Sequence, residues 1–250
     1  MKGKMLCAIC IPTKNEEENI ERLVREIISL SVNGKTIKII LINDPSKDST
    51  YEKELKLEKE HKGKVFVIRN SRKPGLGSSY ATGFDFAVKK LKAEIILTMD
   101  ADFSHNPKDI PALLKALDDS DIAIGSRYIK GGKIIGWSAF RIITSALANL
   151  IGRKATGGKI KDVTSGLRAY RSIALGKIRY DSGIRGYAFL LSVLCEAGKK
   201  GFRISEIPIN FTNRKKGKSK LKQKDILEFL VLALKEISLR AFQPKKKQQL

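Results

Sequence analysis

Leu97-Thr98-Met99-Asp100-Ala101-Asp102-Phe103-Ser104-His105 places two carboxylates at i and i+2 directly after an apolar run, Ile95 to Met99. A short apolar run bounded by polar residues reads as a buried strand, which puts Asp100 and Asp102 on the loop at its carboxyl end. Paired acids there suit a hard divalent cation, and such a cation suits a diphosphate. Asp also favours ordinary turns, so the pair by itself leaves a plain turn open.

Outward from that strand, the first half of the chain alternates. Apolar runs at Leu6–Ile11, Ile37–Ile42, Val65–Ile68, Ile95–Met99 and Ile122–Ile124 are separated by helical patterns near Glu17–Leu30, Ser49–His61, Leu76–Leu91 and Pro107–Leu117. Strands alternating with helices of about 10–15 residues signal βαβ units, hence an α/β fold with a mostly parallel central sheet. Ligands of such sheets bind beyond the carboxyl ends of the strands. Three of those ends carry polar punctuation: Pro12-Thr13-Lys14-Asn15-Glu16, Asn43-Asp44-Pro45-Ser46 and Asp100-Ala101-Asp102. All three are expected to open onto one edge, and that convergence favours a site over a turn.

The second half is less regular. Trp137 to Ile151 carries apolar residues at 137, 140, 143, 147, 150 and 151, an amphipathic helix with Arg141 and Ser145 adjacent on its other side. Asp162-Val163-Thr164-Ser165-Gly166 reads as a polar loop, Gly186–Lys199 as a helix and Phe202–Phe211 as a strand. A basic, glycine-containing loop follows from Asn213 to Lys220. Beyond it, Ile226, Phe229, Leu230, Ala233, Leu234 and Ile237 form an apolar stripe between Lys-rich flanks. A basic amphipathic helix of this kind either lies in a membrane interface or packs on the core.

Composition bounds the function. The 250 residues suffice for one sizeable core, and 42% hydrophobic with 30% charged residues describes a globular chain. Lys and Arg number 49 against 26 Asp and Glu, a formal charge of +23 that seeks polyanions: nucleic acid, an anionic membrane or phosphorylated substrates. No recognition helix, zinc spacing or RNA-binding aromatic signature accompanies the charge, so nucleic acid is not an expected partner. Three cysteines do not make a disulfide framework, and Cys7 and Cys10 lie within one apolar strand, where residues three apart face opposite ways. No apolar run reaches the roughly 18 residues of a bilayer span. The nearest, Ile226 to Leu234, has nine and includes Glu228.

Taken in order, the motifs resemble family 2 glycosyltransferases, most closely the dolichol-phosphate mannose synthase branch. Ile11-Pro12-Thr13-Lys14-Asn15-Glu16-Glu17-Glu18-Asn19-Ile20 is similar to that branch's opening I-P-T-Y-N-E-x-E-N-I. Pro74-Gly75-Leu76-Gly77 with Ala81 and Gly83 looks like its G-L-G-x-A segment, and Asp100-Ala101-Asp102 matches D-A-D. Gly125-Ser126-Arg127-Tyr128, Asp162 to Arg168 and Arg214 to Lys220 follow, so the resemblance runs from about residue 7 to 221. It implies a GT-A nucleotide-sugar-binding domain over residues 1–220, with Mg²⁺ or Mn²⁺, followed by the basic amphipathic segment 221–250. It implies transfer of a hexose, mannose from GDP-mannose, onto a polyprenyl (dolichyl) phosphate with inversion. It also implies a setting at the cytoplasmic membrane face, with the chain attached peripherally or through a membrane-embedded partner subunit.

By the same resemblance Asp100, Asp102 and Ser104 are the candidate metal ligands. Asp100, Asp102, Arg127 and Arg214 are the catalytic candidates. Pro12, Thr13, Lys14, Glu16, Asn43, Asp44 and Gly77 fall at the donor side, and Arg141, Ser145 and Lys220 at the acceptor phosphate. Departures from the pattern bear mainly on the donor: Lys14 stands for an aromatic residue, Asn43 for the first of two acids, Ser104 for Gln and Ala188 for an acid. A UDP-sugar donor or a saccharide acceptor on the same fold is the alternative, and a non-catalytic member of the fold is a third reading.

Overall fold

The computed structural model describes residues 4–72, 75–180, 183–214 and 223–241. Pro74, Lys220 and the lysines at 215–222 and 245–247 lie outside the described residues.

The apolar runs fold as β1 (Met5–Thr13), β2 (Lys35–Asn43), β3 (Val65–Arg69), β4 (Ile95–Thr98) and β5 (Ile122–Ser126). Between them lie α1 (Ile20–Ile28), α2 (Thr50–Glu60), α3 (Leu76–Asp85) and α4 (Ile110–Ala116). The expected Leu76–Leu91 helix changes character, because Phe86–Lys90 takes the wider π pitch. A 3₁₀ turn, Pro107–Asp109, precedes α4, where Asn106 accepts from the Lys108 backbone N–H at 3.0 Å. A proline opening the turn loses no needed donor.

The later half adds β6 (Lys133–Ile135), α5 (Ala139–Ala155), β7 (Arg168–Arg171), α6 (Ser172–Lys177), α7 (Gly186–Lys199), β8 (Ile204–Pro208), β9 (Asn210–Thr212) and α8 (Gln223–Ala241). The single strand expected over 202–211 is split at Ile209, and β9 leaves the main sheet to pair with β6. The seven-stranded sheet has the order β3-β2-β1-β4-β7-β5-β8. Every pairing in it is parallel except those of β7, which runs antiparallel between β4 and β5. Four residues with arginines at both ends do not announce a strand, yet β7 lies inside the sheet, between β4 and β5.

Alternation along β1 builds two cores. Ala8 and Cys10 face α3 and α7, whereas Cys7, Ile9 and Ile11 face α1 and α4. The two thiols therefore share no ligand; burial pushes Cys7 up to about 12 and raises Cys10 further. Each buried Ile or Leu contributes about 1.5–3 kcal/mol, and the continuous apolar strands reflect burial on both faces.

α8 settles between α5 and α7 through Phe229 and Ala233, which are buried. Its other side, with Leu227, Val231 and Leu234, is exposed. α5 likewise buries Asn149, Gly152 and Ala155 and turns Phe140, Ile143 and Leu147 outward at 76%, 65% and 55% exposure. The expected apolar stripe of this helix thus faces away from the core. Among the described residues no helix is long and apolar enough to cross a membrane.

Candidate active site

The ends of β1 and β2 are clipped together. Asn15 adopts a left-handed φ of 51°, which Asn tolerates, and its Oδ1 accepts from the Lys47 backbone N–H at 2.8 Å. Glu16 donates its backbone N–H to Thr50 Oγ1 at 2.7 Å, tying the first loop to α2. Pro12 and Thr13 end β1, with Lys14 exposed just beyond. Asp44, also buried, accepts from Asn70 Nδ2 at 2.7 Å, Ser79 Oγ at 3.1 Å and the Gly75 N–H at 3.1 Å, so it joins β2 to the start of α3. Gly77 has a packing reason: a Cβ there would lie 2.1 Å from the Ile184 carbonyl oxygen and 3.0 Å from the Phe189 ring.

At the end of β4, Asp102 Oδ1 accepts from the Ser104 N–H at 3.0 Å, while Phe103 between them is left-handed at φ 59°. Such a conformation in a bulky residue costs about 1–3 kcal/mol and persists where neighbours enforce it. Here the Ser104 carbonyl accepts from the Thr212 N–H of β9 at 3.2 Å. His105 Nδ1 accepts from the Asp100 N–H at 3.2 Å, so the buried ring turns the loop back on itself. Tyr80 Oη stands 3.5 Å from Asp100 Oδ1. Burial pushes the Asp100 carboxyl upward, opposed by His105 and reinforced by Asp102. Arg214 Nη1 lies 3.3 Å from Asp102 Oδ2.

The segment 162–166 supports this loop from below. Thr98 Oγ1 donates to the Gly166 carbonyl at 2.7 Å, and a Cβ on Gly166 would come within 3.1 Å of Asp100 Oδ1. The segment is held by α5, where Asn149 Oδ1 accepts from the Val163 N–H at 2.8 Å, and by β8, where Glu206 accepts from the Asp162 N–H at 2.9 Å. Fully buried Arg168 donates to the carbonyls of Ser165, Val163 and Leu190 at 2.8, 2.6 and 2.7 Å. That arginine belongs to a quoted motif, but its role as an internal pin was not legible there.

Arg127, a catalytic candidate, is buried and donates through Nε and Nη2 to Asp162 at 2.8 and 2.7 Å, and to Thr164 Oγ1 at 2.7 Å. Burial opposes both charges, but their attraction prevails, raising Arg127 and lowering Asp162. Its charge is already matched, so it organises the 162–166 segment. Arg141 stacks on the Trp137 ring at 3.9 Å and donates to Asn213 Oδ1 at 2.9 Å. Ser145 Oγ pairs with Tyr128 Oη at 2.8 Å. Partial burial lowers the Arg141 guanidinium, with Arg214 and Arg127 adding to the effect against Tyr187 and Asp102. Burial raises Tyr187, against the charges of Arg127, Arg141 and Arg214 and together with that of Asp100.

The donor set is chemically suited to a hard cation. Asp100 and Asp102 offer carboxylate oxygens from one turn, which the Ser104 N–H closes onto Asp102, and Ser104 adds a hydroxyl. Among the described residues no third His, Cys, Asp or Glu joins them.

A mostly parallel sheet with paired acids beyond a central strand is the arrangement of the GT-A fold. The glucosyl-3-phosphoglycerate synthase of Mycobacterium tuberculosis, solved with Mn²⁺, UDP and glucosyl-3-phosphoglycerate, shares the fold. It matches with a TM-score of 0.65 at 16% identity, over 98% of this chain and 82% of that one. Residues 8–179 match the model of glycosyl transferase family 2, and the chain belongs to that family. It is 36% identical to the polyprenol monophosphomannose synthase of Mycolicibacterium smegmatis, over 88% of this chain and 82% of that protein. Identity is 37% to the dolichol-phosphate mannosyltransferase of Pyrococcus furiosus, over 90% of this chain and 62% of that one. The undecaprenyl-phosphate mannosyltransferase of Micrococcus luteus is 34% identical, over 84% and 85%.

Proposed function

We propose that this chain transfers a hexose, mannose from GDP-mannose, to a polyprenyl phosphate, inverting the anomeric carbon. The observation that carries the reading is one juxtaposition: the acids of the β4 loop and the cations Arg214 and Arg141 meet beside a helix with an apolar outer face. The names of the similar mannosyltransferases support it.

An acceptor phosphate is ionised near neutral pH, so one of its oxygens attacks the anomeric carbon without a general base. The bond from that carbon to the β-phosphate oxygen breaks, and the nucleoside diphosphate leaves with the electron pair. Asp100 and Asp102, with Ser104, would hold Mg²⁺ or Mn²⁺. The bound ion would supply Lewis-acid stabilisation of the leaving diphosphate. Arg214 adds positive charge beside Asp102. Arg141 and Ser145 receive the lipid phosphate, and Arg127 holds the supporting segment in register. Pro12, Thr13, Lys14, Glu16, Asn43 and Asp44 line the nucleotide side, and Gly77 lets the start of α3 pack against Ile184 and Phe189 beside it. The exposed sides of α5 and α8 rest peripherally on the cytoplasmic membrane surface or against a membrane-embedded subunit. A division into a catalytic unit over 1–220 and a basic segment over 221–250 fits this arrangement.

The test supplies labelled GDP-mannose or UDP-glucose with Mn²⁺ and either dolichyl phosphate, undecaprenyl phosphate or a free saccharide. Mannose transfer to the lipid phosphates, abolished by EDTA and reduced at least about 100-fold in Asp102→Asn, is the expected result. Transfer to the saccharide alone refutes the proposal.

A further inference from the structure

Asn43 stands where the family pattern has an acid, and the structure couples it to a carboxylate from another element. Its Nδ2 donates to Glu54 Oε2 of α2 at 2.8 Å. Glu54 has no exposed surface, and the Thr13 hydroxyl beside it, like the Asn43 amide, favours its ionised form. An ionised carboxylate only accepts hydrogen bonds, so it fixes which end of the amide turns toward it. The nitrogen faces Glu54, and among the described residues no hydrogen bond reaches Asn43 Oδ1. Asn43 pairs with Thr13 across β1 and β2, at the edge assigned above to the nucleotide. Asp44 is occupied by Asn70, Ser79 and Gly75.

We propose that Glu54 is a positioning residue that sets the base specificity of the donor pocket through Asn43. By holding the amide nitrogen inward it presents an acceptor oxygen to the ring nitrogen of the base, which favours guanine or uracil, whose N1–H or N3–H donates there, over adenine or cytosine, whose bare N1 or N3 only accepts. The inference rests on the donor reading above and adds to it the group that reads the base. A site built around one polar group rejects a base that leaves that group unpaired.

The coupling makes specificity depend on pH. Burial pushes Glu54 up to about 7, opposed by Thr13 and Asn43 and reinforced by Asp48. Several other charges around α2 are engaged elsewhere. Lys53 is bound to the Glu17 carbonyl at 2.8 Å and lies 3.8 Å from Glu21 of α1, and Lys56 bridges Glu21 and Glu60. Glu58 accepts from the Val67 N–H of β3, and Arg69 lies over Tyr51. A protonated Glu54 can donate to Asn43 Oδ1 and admit the flipped amide, which presents a donor to the base instead.

Calorimetric titration of the full chain with GDP, UDP, ADP and CDP in Mg²⁺, at pH 8 and pH 6, tests this. All four share one diphosphate, so its ionisation and its metal binding cancel in their ratios. At pH 8 the better of GDP and UDP should bind at least about tenfold more tightly than ADP and CDP, the value of one hydrogen bond. That ratio should collapse toward unity in Glu54→Gln, whose amide pairs with either orientation, and shrink in the unmodified chain at pH 6. Equal ratios in both proteins at both pH values overturn the inference while leaving the donor reading intact. So does tighter binding of ADP or CDP at pH 8. Failure of all four to bind the unmodified chain overturns both.

Discussion

Replacing Asp162 by Ala strands the Arg127 guanidinium in a buried position. In the native chain Asp162 accepts from Arg127 three times, through the backbone N–H at 2.9 Å, Nε at 2.8 Å and Nη2 at 2.7 Å. Breaking such a pair from one side costs about 3–5 kcal/mol, a large share of a stability of about 5–15 kcal/mol. For a chain of this size that lowers Tm by about 6–20 °C. Removing both charges in Arg127→Met/Asp162→Leu should recover most of the loss, because desolvation of the pair offsets much of its attraction. Equilibrium urea unfolding at pH 7.5 followed by circular dichroism measures all three proteins. The sign with pH follows from the lowered Asp162. Its contribution is complete above the ordinary carboxylate range and disappears only as pH falls through the depressed value. A cost under about 1 kcal/mol for Asp162→Ala, or a double variant no better than the single, refutes the claim that the pair is a buried structural unit.

Two further outcomes follow from charge and exposure. Glu54 titrates at about 7 instead of 4.5, so its folded-state preference for the proton is fully stabilising below 4.5 and is lost as pH rises through 7. Glu54→Gln mimics the protonated form and should match the native Tm at pH 4 but exceed it at pH 8, by at most about 3 kcal/mol in stability; a difference constant across that range refutes the assignment. Changing Phe140, Ile143 and Leu147 together to Ser should alter stability by less than about 1.5 kcal/mol, since all three are exposed. The same change should abolish flotation with anionic vesicles, and a cost above about 3 kcal/mol would show that the face is packed.

The alternating half was readable because periodicity reports burial. Continuous apolar runs marked β1, β2 and β4, and polar residues after them marked the site edge. β7 escaped notice because its arginines are satisfied only in the folded chain: Arg168 by the carbonyls of Ser165, Val163 and Leu190, and half-buried Arg171 by those of Ser120 and Leu117. The π-helical turn after α3 was likewise invisible, since it preserves the apolar side of a helical pattern. Within the candidate site, the acids and arginines were legible as residue types. Tyr187 and Glu54 were not, because neither differs locally from an ordinary aromatic or a surface acid of an amphipathic helix.

By itself the sequence determined the strand–helix alternation, the position of Asp100 and Asp102 beyond β4, and the family. These follow from the spacing of side chains along one dimension, where burial and turn chemistry leave local marks. Tertiary structure alone decided which charges remain available for chemistry. Arg127 is neutralised by Asp162, Arg141 lies against Trp137, and Asn43 is oriented by Glu54, each through a partner brought near by the sheet. A side chain's type is encoded at its own position, but its electrostatic role depends on what folding places within a few ångströms.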